Sequence, residues 1–259
     1  MGILNVTPDS FYDGGRHADT DAARAHVRKM IAEGASIIDI GACSTRPGAE
    51  APDATEEWRR MKDLIPLIKS EFPDVIISVD TFRAEVAEKA VNAGAQMVND
   101  ISGGTMDEKM FDFIASSQVP YVLMHIQGTP QTMQQNPYYS DVVSEVFEFL
   151  RQRSEMLKSR GAGTIIIDPG FGFGKSLEDN YKLAAHLGTF TQLGPVLAGF
   201  SRKSMITRLL NISKDEALTG TTALNMSALL SGASILRVHD VKEAFETVQI
   251  FKKLKGSSN

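Results

Sequence analysis

The stretch VIISVDTFRAEVAEKAVNAGAQMVNDI, residues 75–101, contains one complete unit of the fold. Two short apolar runs, 75–79 and 97–101, flank a segment of helical period at 83–93. The apolar runs are almost continuous, as is typical of parallel strands buried on both faces. The stretch therefore predicts a strand, a helix and a second strand parallel to the first.

The same alternation of strand and helix runs along the whole chain. Six further strands are predicted at 2–6, 36–40, 121–124, 164–167, 196–198 and 234–238. Further helices are predicted at 19–34, 53–71, 107–117, 141–160, 177–186, 202–210, 215–230 and 241–254. Eight strand–helix pairs in 259 residues favour a (β/α)8 TIM barrel, an α/β fold of roughly 250 residues, as a single domain over 1–259.

Two other architectures are alternatives to the barrel. An open doubly wound sheet usually has a Gly-rich fingerprint after its first strand, where this chain has Asn5-Val-Thr-Pro-Asp-Ser-Phe11. Length alone would allow two domains of about 130 residues, but the sequence has no linker and no convincing repeat. The chain starts almost inside its first strand, so either the natural protein begins abruptly or residues before Met1 are missing.

Composition limits the classes of partner. The formal net charge of −5 argues against a nucleic-acid or membrane-surface role, since both need a basic face. The one cysteine, Cys43, can form neither an internal disulfide nor a Cys-based zinc site, which fits a reducing compartment. No apolar run approaches the roughly 20 residues of a membrane span. We expect a cytoplasmic protein with no nucleic-acid or membrane partner.

Polar residues follow all eight predicted strands, where a barrel carries its catalytic groups. They are Asn5, the segment 41–48, Asp80, Asn99, His125, Asp168, the segment 201–204, and Arg237 with His239. One Asp or Asn after a strand is commonly a helix cap or turn. Lysine and arginine aimed at one mouth have no such structural need, so the row predicts a site for a polar, anionic small molecule.

The row divides by chemistry. The carboxylates and amide of Asp80, Asn99 and Asp168 suit a heterocycle rich in N–H donors and ring nitrogens. The donors and positive charge of Asn5, Arg237, His239 and the start of the helix after Ser201 suit phosphate. Lys203 suits either the heterocycle or the phosphate. For Arg237 the alternative is a salt bridge to an acidic loop. His125 is interpreted as a residue at the rim of the barrel.

The segment Gly170-Phe-Gly-Phe-Gly-Lys-Ser176 looks like a phosphate loop but does not qualify as one. Pro169 stands where a Walker A motif requires glycine, and Lys175 stands where the dinucleotide pattern requires its third glycine. We interpret the segment as a tight turn that lets backbone approach a ligand. The histidines lack metal-site spacing, and no G-x-S-x-G elbow occurs.

Taken in order, these motifs resemble the dihydropteroate synthase family. The matching segments are 1–11, 44–48, 78–81, 98–103, 124–125, 168–173, 201–204 and 237–239. The resemblance implies a folate-biosynthesis transferase that joins 7,8-dihydropterin-6-ylmethyl diphosphate to 4-aminobenzoate, giving 7,8-dihydropteroate and pyrophosphate. It also implies a homodimer, through the last helices, that sulfonamide-type mimics of aminobenzoate inhibit.

The resemblance also assigns roles to residues. Pterin-binding residues would be Asp80, Asn99, Met124, Asp168, Gly172 and Lys203. The diphosphate would lie against Asn5, Arg237 and His239, with the cofactor Mg²⁺ bound by Asn5 and phosphate oxygens. The 4-aminobenzoate side would comprise Phe11, Thr45, Arg46, Pro47, Phe173 and Ser204, and the catalytic groups would be Asp80, Lys203, Asp13 and Arg46.

The expected chemistry is a dissociative substitution. Diphosphate leaves easily once its charge is neutralised, and the remaining pterin-methylene cation is stabilised by the ring and by Asp80 and Asp13. Attack by the aniline amine then needs no strong base. Two positions depart from the family pattern: Cys43 stands where many members have Glu, and Tyr12 where a small residue is usual.

Two other functions are alternatives to this one. A related pterin-binding barrel passes a methyl group from methyl-tetrahydrofolate to a corrinoid, but it has no use for the Ser44-Thr-Arg-Pro-Gly48 and Ser201-Arg-Lys203 segments. A non-catalytic barrel would retain pterin recognition without releasing pyrophosphate.

Overall fold

A computed structural model describes residues 1–6, 16–43 and 52–257, without the side chains of residues 16–19. Its strands are β1 Gly2–Asn5, β2 Ile37–Gly41, β3 Ile76–Asp80, β4 Met97–Asp100, β5 Tyr121–Met124, β6 Ile165–Asp168, β7 Val196–Ala198 and β8 Ala233–Leu236. Its α-helices are α1 Arg16–Ala32, α2 Ala54–Met61, α3 Leu64–Glu71, α4 Ala84–Asn92, α5 Met110–Ser117, α6 Val142–Ser159, α7 Leu177–Ala185, α8 Ser204–Leu210, α9 Leu218–Leu230 and α10 Val241–Gly256, with a 3-10 helix at Leu187–Gln192.

All eight strands form one parallel sheet in the order β1 to β8, each bonded to the next along the chain. The sheet is curled, and the segment that follows β8 approaches β1. Gly2 forms a parallel bridge with Val238, where the Ile3 N–H donates to the Val238 carbonyl at 3.0 Å and the Val238 N–H donates to the Met1 carbonyl at 3.0 Å. The result is an α/β fold in which helices flank a curled parallel sheet.

The concave side of the sheet is built in layers because strand side chains alternate between faces. A lower apolar cluster contains Met97, Val122, Ile166 and Leu197. Two residues further along the same strands stand Asn99, Met124, Asp168 and Gly199, which line one cavity. The alternation therefore places a polar layer directly above an apolar floor, at the carboxyl ends of the strands.

The predicted strands agree with the observed ones to within two residues at each end. The prediction of one helix over 53–71 is wrong, because α2 and α3 are separate helices. Pro66 lies in the first turn of α3, where its missing N–H costs nothing, but in a continuous helix its ring would collide with the carbonyl of Lys62. The helix predicted over 202–210 is observed from Ser204, two residues later, because Arg202 has a left-handed φ of 55°.

None of the helices within the described ranges is long and apolar enough to cross a bilayer.

Candidate functional site

One cavity opens at the carboxyl ends of the strands and encloses about 470 Å³, part of it open to solvent. It is lined by Ile3, Asp80, Asn99, Ile101, Met124, Asp168, Phe173, Gly199, Ser201, Lys203, Arg237 and His239. Of the described pterin residues predicted from the sequence, only Gly172 is not in this lining. A Cβ added to Gly172 would nevertheless lie 3.5 Å from Cδ of Lys203.

Arg237 is the charged centre of the cavity wall. Its Nε donates to Oδ2 of Asp39 at 2.7 Å, and its Nη2 donates to Oδ2 of Asp80 at 2.6 Å. Nδ2 of Asn99 donates to the same Asp39 oxygen at 2.9 Å. Arg237 thus makes the ion pairs that were weighed as the alternative to phosphate binding, but its partners are strand residues and not an acidic loop. These contacts use two of the five N–H bonds of the guanidinium.

Sequence reasoning missed Asp39. It took residues 36–40 as one apolar strand, although a carboxylate stands in the middle of Ile37-Ile-Asp-Ile-Gly41. A fully buried carboxylate is rare unless it is paired, and Asp39 is fully buried. That residue type at that position was the available signal that a cation lies opposite β2.

Burial changes the acidity of the groups in the cavity. It raises the pKa of Asp80, opposed by Arg237, and the pKa of Asp168, opposed by Lys203. Burial also lowers the pKa of Lys203 to about 8, with Asp168 opposing. Carboxylates and cations therefore face one another in a poorly solvated space, where hydrogen bonds to a polar ligand are stronger than in water.

Lys203 follows β7 and is wrapped by the loop that follows β6. Its Nζ donates to the Phe171 carbonyl and lies 5.0 Å from the ring centroid of Phe173. Ser204, the first residue of α8, is exposed beside Lys203. Lys203 is therefore placed jointly by two loops, with Phe173 and Ser204 next to it.

The glycine-rich segment is a turn folded inward around Lys175. Gly170 has a φ of 72°, and a Cβ added there would lie only 1.9 Å from the His125 carbonyl oxygen. The buried Lys175 ammonium lies 2.8 Å from the Gly170 carbonyl, 2.9 Å from the Phe173 carbonyl and 3.0 Å from Nδ1 of His125. The backbone thus closes on a lysine of the protein itself, which explains the motif without any phosphate.

His125 is not a rim residue, and that interpretation was wrong. It is buried beneath the loop after β6 with 6% of its surface exposed. Burial, reinforced by the Lys175 charge, lowers the pKa of His125 to about 2. A neutral imidazole is what Lys175 requires, because only a ring nitrogen without hydrogen accepts a hydrogen bond.

The predicted diphosphate residues occupy neighbouring strand ends. His239 and Arg237 line the cavity, and Nδ1 of His239 lies 3.0 Å from Oγ of Ser201. Asn5 ends β1 with an exposed side chain and is not part of the lining. In the parts of the chain that the structure describes, no group of three or more His, Cys, Asp or Glu side chains is placed to hold a metal ion.

Five predicted residues lie outside the described residues: Phe11, Asp13, Thr45, Arg46 and Pro47. Next to the second of these gaps, Arg83 pairs with the buried Glu57, donates to the Pro52 carbonyl at 2.7 Å and lies 3.7 Å from Sγ of Cys43. Burial raises the pKa of the Cys43 thiol to about 12. Cys43 is therefore protonated and is not activated as a nucleophile.

Comparisons with known proteins identify close relatives. The family described as pterin binding enzyme matches residues 1–239. The Escherichia coli K12 dihydropteroate synthase is 44% identical over 253 residues, covering 96% of this chain and 89% of the relative. Two solved dihydropteroate synthases superpose closely. The Yersinia pestis protein in a sulfonamide drug complex has TM-score 0.92, 41% identity and coverage of 98% and 93%. The Xanthomonas albilineans protein with 4-aminobenzoic acid has TM-score 0.91, 42% identity and coverage of 98% and 92%.

The buried Lys175 contacts predict a large stability effect. Lys175→Met fills a similar volume but removes the donor to the Phe173 carbonyl and to Nδ1 of His125, while the Gly170 carbonyl still accepts from the Phe173 N–H. Each unsatisfied buried acceptor costs about 1–3 kcal/mol. We expect the free energy of unfolding to fall by about 3 kcal/mol, measured by urea denaturation at an unchanged m-value. The control is Lys182→Met, which removes an exposed pair with Asp141 worth at most about 1 kcal/mol. Equal losses in the two variants would contradict this role.

Proposed function

The chain belongs to the pterin-binding enzyme family and, within it, to the dihydropteroate synthases. We propose that its reaction takes place in the cavity at the strand ends. The activity is that of a dihydropteroate synthase, a transferase of folate biosynthesis. The enzyme condenses 7,8-dihydropterin-6-ylmethyl diphosphate with 4-aminobenzoate and releases pyrophosphate. The observation that carries the placement is the convergence of Asp80, Asn99, Asp168, Lys203 and Arg237, from five strand ends, on one cavity.

We infer that the sheet is a closed (β/α)8 barrel and that residues 1–259 form one pterin-binding domain. The hydrogen bonds between β1 and Val238 support closure. A closed barrel brings the ends of β1 and β8 together at one mouth. Asn5 would then stand beside Arg237 and His239, as a shared diphosphate subsite requires.

The pterin ring would lie in the inner part of the cavity. The carboxylates of Asp80 and Asp168 and the amide of Asn99 can accept from and donate to the ring nitrogens, and Lys203 can donate to a ring carbonyl. Met124 supplies an apolar wall, and Gly172 leaves room beside Lys203. A ligand that matches these buried polar groups would be strongly favoured over one that leaves them unpaired.

The diphosphate would lie at the outer end, against Asn5, Arg237 and His239. Asp39 and Asp80 hold two N–H bonds of Arg237, and the guanidinium keeps donors for phosphate oxygens. Mg²⁺ can be bound here by one protein oxygen together with phosphate oxygens and water. The described residues form no acidic cage, but Mg²⁺ commonly takes one or two protein oxygens plus phosphates and water. The exposed amide oxygen of Asn5 would be that protein ligand, and the ion would neutralise charge on the leaving group.

The 4-aminobenzoate would approach from the outer side of Lys203. Phe173 and Ser204 flank Lys203, and Phe11, Thr45, Arg46 and Pro47 are proposed to complete this side. A sulfonamide that mimics 4-aminobenzoate would compete there. The Yersinia pestis relative has been solved in a sulfonamide drug complex, which supports sulfonamide binding but not a particular position.

The proposed mechanism is dissociative. Asp80 lies against the pterin subsite, where its negative charge would stabilise the cation left when diphosphate departs, and Asp13 is proposed to assist. Lys203 would orient the ring, and Arg46 would hold the carboxylate of the incoming 4-aminobenzoate. The amine would attack without a strong base, so the site needs no nucleophile–histidine pair.

A two-substrate assay tests this function. We expect pyrophosphate and dihydropteroate to appear only when both substrates and Mg²⁺ are present. Asp168→Asn should lower kcat/KM by at least about tenfold, because a hydrogen bond to a buried charged group is worth about 1.5–3 kcal/mol. The exposed Lys214→Ala is the matched control. Intact pterin binding without turnover would favour a non-catalytic barrel, and methyl transfer from methyl-tetrahydrofolate to a corrinoid would favour the other enzyme class.

We also propose that the chain forms a homodimer in the reducing cytoplasm, for which its single cysteine is suited. Exposed apolar side chains cluster on the last helices: Leu209, Leu210, Leu230, Phe245, Ile250 and Leu254. The helices α9 and α10 pack against each other. Large exposed apolar side chains on packed helices are typical of a subunit interface.

Sedimentation equilibrium tests the dimer. The wild-type chain should sediment as a dimer, and the double variant Ile250→Glu with Leu254→Glu should sediment as a monomer, because burying two carboxylates in an apolar interface is costly. Met156→Glu, on the exposed face of α6, is the control and should remain dimeric. A wild-type monomer at micromolar concentration would refute the proposal.

A further inference from the structure

Two consecutive residues after β7 contact two consecutive residues after β8. Oγ of Ser201 lies 3.0 Å from Nδ1 of His239. The neighbouring Arg202 donates to both carboxylate oxygens of Asp240, at 3.0 Å and 2.6 Å. The two strand-end loops are thus joined by two parallel cross-links, one neutral and one ionic.

The hydrogen atoms at the neutral cross-link can be assigned by counting the donors and acceptors of Ser201 and His239. The backbone N–H of His239 donates to Oγ of Ser201 at 3.1 Å, so this oxygen already accepts one hydrogen bond. A serine hydroxyl has one hydrogen to donate, and within the described residues its recorded acceptor is Nδ1 of His239. If Nδ1 carried the hydrogen instead, two N–H groups of His239 would donate to the same Ser201 oxygen. The hydroxyl hydrogen of Ser201, a residue that is 5% exposed, would then have no acceptor.

We propose that Ser201 is a positioning residue that holds His239 as the neutral imidazole with its hydrogen on Nε2. The ring then offers Nε2–H as a fixed donor to an oxyanion in the cavity. This inference rests on the proposed function, in which His239 faces the departing diphosphate. The pairing makes His239 a hydrogen-bond donor to the leaving group and not a proton donor.

The surroundings of His239 keep the ring neutral. Burial lowers its pKa to about 4, and the positive charges of Arg237, Arg202 and Lys203 act in the same direction against the opposing Asp240. A protonated ring would carry hydrogen on both nitrogens, and Nδ1 could no longer accept from Ser201. A neutral ring leaves one nitrogen free to accept, and the Ser201 contact selects Nδ1 as that nitrogen.

Arg202 provides an independent check on this role. Its φ of 55° is left-handed, its N–H donates to Oγ1 of Thr221 at 3.2 Å, and its side chain clamps Asp240. Arg202 therefore ties the two loops together without touching the imidazole hydrogens. Loosening the loops through Arg202 and removing the Ser201 hydroxyl are separable perturbations.

Nuclear magnetic resonance of the full chain with ¹⁵N-labelled histidine tests the assignment at pH 7.5. Two-bond ¹⁵N–¹H correlations distinguish the two tautomers, and His239→Gln identifies the resonances of this ring. We expect one tautomer, with hydrogen on Nε2, in the wild type, in Arg202→Met and in Ser201→Thr, which retains the hydroxyl. Ser201→Ala should show a mixture of tautomers, because the donor to Nδ1 is gone.

Affinity for Mg²⁺–pyrophosphate, measured by calorimetry, gives the second readout. Ser201→Ala should weaken it roughly fivefold, about the worth of one neutral hydrogen bond, and Ser201→Thr should restore it. Ser213→Ala, at an exposed serine bonded to Glu216, should leave it unchanged.

Hydrogen on Nδ1 in the wild type would overturn the proposal, as would an unchanged tautomer or unchanged pyrophosphate affinity in Ser201→Ala. Absence of turnover with the expected tautomer and affinity changes would instead overturn the proposed function and leave the Ser201 pairing intact.

Discussion

The charge of Arg237 is held between two carboxylates inside the sheet, and the cavity depends on that arrangement. Asp39 comes from β2, Asp80 from the end of β3, and Arg237 follows β8. Removing these ions from water is costly, and such pairs contribute little net stability compared with apolar packing. They are better understood as fixing positions: one guanidinium sets the relation of three strands at the mouth of the sheet.

The same network joins the chemistry that the substrate requires. Asn99 shares the Asp39 oxygen with Arg237, so the amide proposed to read the pterin and the cation proposed to meet the diphosphate are oriented by one carboxylate. On the opposite wall, Lys203 is held by the Phe171 carbonyl and the Phe173 ring. Lys175 anchors the loop that presents both groups. The cavity is therefore preorganised on two sides by the buried side chains of Asp39 and Lys175, neither of which lines it.

Much of this could be predicted from residue order. Parallel strands buried on both faces are short and almost continuously apolar, which distinguishes them from the helices. The polar residues at the end of each such strand predict the site, and Asp80, Asp168 and Arg237 were identified in this way. The break before Pro66 was also readable, because a proline in mid-helix is sterically excluded, but it was overlooked. Asp39 was missed because residues 36–40 were interpreted as an apolar strand, and the one carboxylate within it was not considered.

Other features required the three-dimensional structure. The pairing of Lys175 with His125 joins residues 50 positions apart, and neither shows a sequence spacing that reveals it. Ser201 was treated only as the residue before a helix, whereas its hydroxyl contacts a ring from another strand end. The roles of Asp13 and Arg46 stay predictions, since both lie outside the described residues.

Asp39→Asn tests most directly whether the interior ion pairs organise the site. Calorimetric titration with a pterin and with Mg²⁺–pyrophosphate would be run on protein whose near-ultraviolet circular dichroism confirms native packing. Because Asp39 orients both Asn99 and Arg237, the account predicts that both affinities fall together, each by at least about tenfold. Wild-type affinity for both ligands in Asp39→Asn would contradict it.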